Sequence, residues 1–345
     1  MAHPRLALCL EQTLGHRAHG QNLEAAAGSR ANTDVVRVEY PDRTRLRVPW
    51  ALRGSWLARS QLRDRGRRDA ILFHTQTISL FAAQASRGAP YVVSLDATPR
   101  QVDEMGQWYR HGAGPRPVEA AKARWYREVF AGASALVTWS QWAADSLVRE
   151  YGCAGKRIEV AHPGASRAFF EIQRVSKSAR PRILFVGGDF ERKGGHDLLR
   201  AFEPLAGRAE LVLVTEAQVP ERPGVRVVHG VRPGTPEQFR AFAEADIFCL
   251  PTYGDCTSVA IGEALAAGLP VVTTSVGSNR ETVPEAAGRI IAPGDAPALT
   301  AALDELASDA SLRLRAGEAA REHARAHMDA AANARRVLAL LEEVA

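Results

Sequence analysis

Asp255 and Glu263 are separated by seven residues. Between them, Thr257 and Ser258 are types that cap helix starts. Val259 to Ala267 are strong helix formers, and Gly268 with Pro270 ends the run. Asp255 is therefore expected just outside a helix, with Glu263 two turns inside it. The first N–H groups of a helix lack intrahelical partners and lie at the positive end of its dipole, so a phosphate placed there gains from both. Upstream, the loop from Gly188 carries Arg192 and Lys193 immediately before Gly194-Gly195 and a second helical run. A pair of cations beside a helix start is a candidate pyrophosphate site. These residues suit the binding and departure of a diphosphate, whose developing charge cations and amides stabilise. The plainer alternatives are a solvated acid on an ordinary helix and surface basic residues in a turn.

A second set of polar residues follows apolar runs in the first half. Gly15 and His16 follow Arg5 to Leu10, His74 ends Ala70 to His74, and Asp96 follows Tyr91 to Leu95. In open parallel sheets, ligands bind beyond the carboxyl ends of the strands, so each is a site candidate. Asp96 could accept a hydrogen bond from a ligand hydroxyl, act as a base, or cap the following turn. The 15–20 segment, read as a loop before a helix from Gln21 to Ala27, lacks G-x-G-x-x-G and so lacks a dinucleotide fingerprint. Arg100 to Val118 reads as irregular and aromatic, with Trp108, Tyr109 and His111, suited to an acceptor platform, a lid or a plain connection. Ser140 is expected to cap a helix whose start carries Trp139 and Trp142.

Alternating apolar runs and helical stretches position these groups. Strands are expected at Asp34 to Glu39, Ala135 to Thr138, Ile158 to Ala161, Arg182 to Gly188, Leu211 to Thr215, Val225 to His229, Ile247 to Leu250, Val271 to Thr274 and Arg289 to Ala292. Helices are expected at Arg124 to Gly132, Phe239 to Ala245 and Asn333 to Val344. The pattern predicts an α/β chain with two doubly wound parallel sheets. The segment 172–181 is polar, ends in Pro181 and reads as a linker between a domain of residues 1–171 and one of 182–329.

The 345 residues, 46% of them hydrophobic, suffice for two cores. No apolar run is long enough to span a bilayer, and the N-terminus reads as a strand, not a signal peptide. Cys9, Cys153, Cys249 and Cys256 show no paired metal spacing, which points to a reduced, cytoplasmic setting. Residues 1–175 hold 25 Lys and Arg against 16 Asp and Glu, while 176–345 hold 19 against 23. The basic first half suits an anionic acceptor or a phospholipid surface. Nucleic acid is not expected, because no binding motif accompanies the charge. Residues 48–68 interleave Trp56 with six arginines. They read either as a basic helix lying on the inner membrane face or as a crossover helix with Trp56 in the core.

The order of these motifs resembles retaining glycosyltransferase family 4 (glycosyl transferases group 1), across essentially the whole chain and most strongly from Ile183 to Asp295. The resemblance implies a GT-B fold, two Rossmann-like domains facing across a cleft and closing on the donor, with the last helix crossing back to the first domain. It implies a metal-independent hexosyltransferase that uses a nucleotide-diphosphate sugar; the lack of any Asp-x-Asp agrees with that. Lys193 would meet the donor diphosphate, and the family's arginine would fall at Gly188, so Arg192 is the candidate to replace it. Asp255, where the family has Glu, would hold the donor sugar, Glu263 the ribose, and the amides near Thr257, Ser258 and Val259 the phosphates. His229 and Gly230 would sit at the nucleotide base. Gly15 would approach the donor phosphates, and Asp96 stands where the family often has His. His16, His74, Trp108, Tyr109 and Ser140 are acceptor-side candidates. The turn at Gly277 and Pro293-Gly294-Asp295 also match the family pattern. The acceptor is a glycan, a lipid-linked sugar or a small molecule. The alternative is a non-catalytic nucleotide-sugar-binding or scaffold protein on the same fold.

Overall fold

Twelve short apolar runs become two parallel sheets in the computed structural model, which describes residues 4–13, 15–28, 32–39, 49–63, 65–109, 114–175 and 180–345. The chain divides into a unit of Met1–Pro163 with Ala330–Ala345 and a unit of Gly164–Asp329.

In the first unit the strands are β1 (Leu6–Glu11), β2 (Thr33–Val38), β3 (Ala70–Phe73), β4 (Tyr91–Leu95), β5 (Ala135–Thr138) and β6 (Ile158–Val160). They pair in parallel in the order β2-β1-β3-β4-β5-β6. Side chains alternate faces along a strand, and both faces are apolar here. Ala7 and Cys9 of β1 join Val36, Ile71, Phe73, Val93 and Phe130. Leu6, Leu8 and Leu10 join Leu23, Leu72 and Val92 on the other face. The helix Ala330–Glu343 adds Val337, Leu338, Leu340 and Leu341 to that second cluster. A sheet covered on both faces accounts for strands that read as unbroken apolar runs.

In the second unit the strands are β7 (Arg182–Val186), β8 (Glu210–Val214), β9 (Val225–Val228), β10 (Ile247–Leu250), β11 (Val271–Thr274) and β12 (Gly288–Ile291). All pairings are parallel, in the order β12-β11-β10-β7-β8-β9. The chain reverses its direction of travel between β1 and β3 in one sheet and between β7 and β10 in the other. Those two points are where loops part and ligands are received.

Several expectations need correction. The helix expected from Gln21 begins at His16 and runs to Ala27, with Gly15 at its N-cap. Gly20 does not break it; a Cβ there would sit at ordinary contact distance, 3.6 Å, from His74 Cε1, so the packing does not require a glycine. Of the segment expected to be irregular, Arg100 to Val118, the described residues are mostly helical. Thr98 forms a capping box with Gln101 for the helix Pro99–Glu104, a 3-10 turn covers Gly106–Tyr109, and a helix covers Arg116–Gly132. His111 lies outside the described residues, as do 176–179 of the expected linker. Trp56, on the helix Trp50–Arg63, is 60% exposed and not in the core. The division between units falls after Pro163, not after Glu171, because Phe169 packs on Phe239 and Phe242 at 5.1 Å.

Candidate functional site

Three loops of the second unit meet at the carboxyl ends of β7, β10 and β11. Lys193, after β7, forms an ion pair with Asp255, after β10; both side chains are largely buried. Arg192 ties the same loops: its Nη1 donates to the Gly254 carbonyl at 2.6 Å, its Nε to Asp189 at 3.2 Å, and its own carbonyl accepts from Tyr253 N at 2.8 Å. Arg192 thus braces the loop that carries Asp255. Gly188, at the position of the expected family arginine, has open space around its Cβ direction. Gly194 makes the crossing of loops possible. Its φ is +75°, and a Cβ would fall 2.0 Å from the Pro251 carbonyl oxygen.

The third loop closes on the same point. Gly277 has φ +58°, and a Cβ would sit 2.0 Å from the Asp255 carbonyl oxygen. Ser278 donates through its backbone to Cys256 O at 3.0 Å and through its hydroxyl to Thr257 Oγ1 at 3.2 Å. Ser258 is the N-cap of the helix Val259–Ala266, and its side chain makes no capping hydrogen bond. The helix starts four residues after Asp255, on the loop that carries the Lys193–Asp255 pair. The arrangement can stabilise an anion with a cation, backbone amides and the dipole of that helix.

Glu263 lies further along the helix, where Gln238 Nε2 donates to it at 3.1 Å and Gln238 Oε1 in turn accepts from Gly234 N at 2.7 Å. Burial pushes the Glu263 carboxyl up to about 8, against the opposing pull of Gln238. His229 Nδ1 is 2.7 Å from Thr215 O, and Gly230 N donates to Glu216 at 2.7 Å. An acid held near 8 when folded and near 4.5 when unfolded keeps its proton through that window only in the native chain. It contributes stability at low pH that is lost as pH rises from about 4.5 to 8. Denaturant unfolding at pH 5.5 and 8.5 is therefore expected to show a larger alkaline loss in the native chain than in Glu263→Gln.

A second cluster lies in the first unit, at the carboxyl ends of β1, β3 and β4. His16 Nε2 is 3.3 Å from Asp96 Oδ2, and His16 Nδ1 is 3.7 Å from Glu11 Oε2. Glu11, the last residue of β1, is 1% exposed. It accepts from Thr13 Oγ1 at 2.8 Å, from Trp50 Nε1 at 3.4 Å and from Thr75 Oγ1. Beneath them His19 Nδ1 meets His74 Nε2 at 2.8 Å, and Trp139 packs edge-on against His19 and His16. Burial opposes charge on His16, but the Asp96 carboxylate and then Glu11 outweigh it and raise the imidazole to about 9. Burial and the neighbouring His16 push His19 down to about 3, and burial with His19 pushes His74 well below its ordinary range. The cluster thus holds one charged imidazole above two neutral ones.

The sequence candidates fall differently. Asp96 does not cap the following turn, which Thr98 caps instead. His74 is fully buried beneath His16, so it supports the cluster and does not itself reach solvent. Ser140 is 2% exposed and spends its hydroxyl accepting from Ala143 N at 3.2 Å. Trp108 and Tyr109 are half-buried on the 3-10 turn. Sequence reasoning missed Glu11, although a charged residue ending LALCLE carries the same signal as His74 and Asp96. It also missed Tyr253, whose hydroxyl donates to Asp197, and Gln238, which no local pattern marks. Among the described residues, no group of three or more His, Cys, Asp or Glu is placed to hold a metal ion.

Two family models match the chain: one described as Glycosyltransferase Family 4 over residues 6–168, and one described as Glycosyl transferases group 1 over 180–309. The chain is similar to a D-inositol 3-phosphate glycosyltransferase of Paenarthrobacter aurescens, at 26% identity over 75% of this chain and 69% of that one. It is similar to a protein of the same name from Streptomyces avermitilis, at 28% identity over 61% of this chain and 52% of that one, so it spans about half of that relative. Among solved structures it is similar to sucrose-phosphate synthase from Thermosynechococcus elongatus, with TM-score 0.75 at 17% identity over 98% of each chain. It is also similar to Anabaena HepE in complex with UDP and glucose, with TM-score 0.71 at 16% identity over 98% of this chain and 99% of that one.

Proposed function

The chain belongs to the GT-B-fold glycosyltransferases of the family 4 and group 1 kind, which move a sugar from a nucleotide-diphosphate donor to an acceptor, and on that premise we propose that it transfers a hexosyl group with retention to a hydroxyl acceptor. The observation that carries this reading is the Lys193–Asp255 pair at the sheet reversal of the second unit, beside the start of the helix Val259–Ala266. Breaking the anomeric bond loads charge onto the leaving diphosphate, and stabilising that charge is the main catalytic task. Lys193 exchanges its carboxylate partner for the diphosphate. The amides from Thr257 to Val259 face the same anion, and Arg192 adds charge while bracing the loop. Asp255, released from Lys193, accepts from donor-sugar hydroxyls. Glu263 holds the ribose, and His229 and Gly230 border the base. On the acceptor side, Asp96 accepts from the substrate hydroxyl beside His16.

The donor is tested by thermal unfolding with UDP-, GDP-, ADP- and TDP-hexoses. A ligand at about 100 times its Kd adds about 2.7 kcal/mol to the bound state, which moves the midpoint by several degrees. One base is expected to stand out. Transfer is then assayed with inositol 3-phosphate, the acceptor in the relatives' name, and with unphosphorylated hexosides. If every nucleotide sugar leaves the midpoint unmoved, the donor-site reading fails.

The same reading includes peripheral contact of the first unit with an anionic membrane from the cytoplasmic side. No helix among the described residues is long and apolar enough to cross a membrane. Trp56, Arg59 and Arg63 are exposed on one face of the helix Trp50–Arg63, a combination suited to an anionic interface. Trp56→Ala is expected to weaken co-sedimentation with phosphatidylglycerol vesicles several-fold, and salt to release the native chain. Equal sedimentation of both proteins would remove the membrane from the reading.

A further inference from the structure

We propose that Glu11, His16 and Asp96 form one charge-coupled unit, in which Glu11 and His16 are positioning residues that aim the Asp96 carboxylate at a hydroxyl of the acceptor. The inference deepens the transferase reading and rests on its assignment of Asp96 to the acceptor side.

The three side chains run from closed to open. The side chain of Glu11 is 2% exposed, that of His16 15% and that of Asp96 16%. The buried end is fixed independently of His16. One Glu11 oxygen takes Thr13 and the Trp50 indole, and the other takes Thr75 and faces His16 Nδ1. The ring is fixed as well. His16 is the first residue of its helix, and its plane stands edge-on to Trp139 at 5.5 Å and to His74 at 6.0 Å between centroids. Nε2 meets Asp96 at 3.3 Å, while Glu11 stands 3.7 Å from Nδ1, outside hydrogen-bond range, and acts on the ring through its charge. Asp96 is thereby oriented without serving its own turn, since Thr98 caps the helix that follows.

The other groups facing the ring do not offset this. His19 from the same helix and His74 from the end of β3 are held neutral by burial, and His162 beyond β6 acts on His19. Two carboxylates around one imidazolium leave a single net negative charge. That charge favours a hydroxyl or an ammonium group as the partner of Asp96 and disfavours a phosphate or carboxylate at the same point. Asp96 acts by accepting a hydrogen bond, and the proton of the acceptor hydroxyl leaves on the departing diphosphate.

The test uses the full chain with Glu11→Gln, His16→Asn and Asp96→Asn. Without ligand, the ring titration of His16 is followed by long-range nitrogen–proton NMR. The native midpoint is expected near 9, and Glu11→Gln and Asp96→Asn should each lower it by a unit or more. Nucleotide release from the donor is then followed against pH, with methyl α-glucopyranoside and glucose 6-phosphate as acceptor probes and water as the default. Glu11→Gln is expected to move the alkaline limb to lower pH, raise the KM for the neutral hexoside about tenfold, and leave the donor KM unchanged. If Glu11→Gln does not fold, Asp96→Asn decides the ring midpoint and His16→Asn decides the pH limb and the KM, with the alkaline limb lost. A native His16 midpoint near 6.5, or an unchanged limb and KM in both variants, overturns the inference. A chain that binds no nucleotide sugar overturns the transferase reading instead, and the ring titration still decides whether the three groups are coupled.

Discussion

Lys193→Ala is expected to lower sugar transfer at saturating donor by about 10²–10³-fold, the loss typical of removing one donor to a developing anion. The side chain is placed for that role by its contact with Asp255, across loops that leave the sheet on β7 and β10. Arg192 does not replace it in this arrangement, since its guanidinium is engaged by Gly254 O and Asp189. Removing the cation also strands a carboxylate that is 7% exposed. An unpaired buried group costs about 1–3 kcal/mol, so Lys193→Ala should also unfold at lower denaturant. Lys193→Ala with Asp255→Ala separates the two effects. Stability recovers in the double variant because no buried charge is left alone, and transfer does not. Recovery of transfer along with stability would mean that Lys193 serves only the fold.

Gly277→Ala is expected to damage the site without touching a charged residue. At φ +58° an L side chain is strained by about 1–3 kcal/mol. The new Cβ would also lie 2.0 Å from Asp255 O and 2.6 Å from Cys256 O. Both contacts are backbone, so the loop after β10 has to move. Asp255, Thr257 and Ser258 move with it, and donor affinity should fall at least tenfold in a chain that still folds. Gly207→Ala is the control, since a Cβ there meets nothing within 4 Å, and it should leave the donor Kd unchanged. Native affinity in Gly277→Ala would mean that the position of this loop does not set donor binding.

How much of this was legible in the sequence varies by element. Ile247–Leu250 and Val271–Thr274 were readable to the residue, because each apolar run ends in a proline or a change to polar types. That the chain builds two parallel sheets followed from alternating strands and helices and from the family resemblance; the strand order within each did not. The first helix was misjudged because Gly20 looks like a turn, whereas the helix runs through it from His16 to Ala27. The helix Pro99–Glu104 carried a readable start signal in Thr98, Pro99 and Gln101, which the surrounding aromatic residues obscured. The exposure of Trp56 was not legible, since its spacing fits either face of a crossover helix. Lys193 and Asp255 were nominated separately, 62 positions apart, and only the reversal between β7 and β10 makes them partners. The pairing of His16 with Glu11 and Asp96 was likewise out of reach, because it joins the ends of β1 and β4 across 80 positions.

The central claim is that a diphosphate is bound by Lys193 and the start of the helix Val259–Ala266. Calorimetric titration of UDP, GDP, ADP and TDP, each beside its parent nucleoside, into the native chain and Lys193→Ala tests it most directly. The preferred diphosphate should bind Lys193→Ala at least tenfold more weakly than the native chain, while the nucleoside, which lacks phosphates, binds both alike. Equal affinity of the diphosphate for the two proteins would contradict the claim.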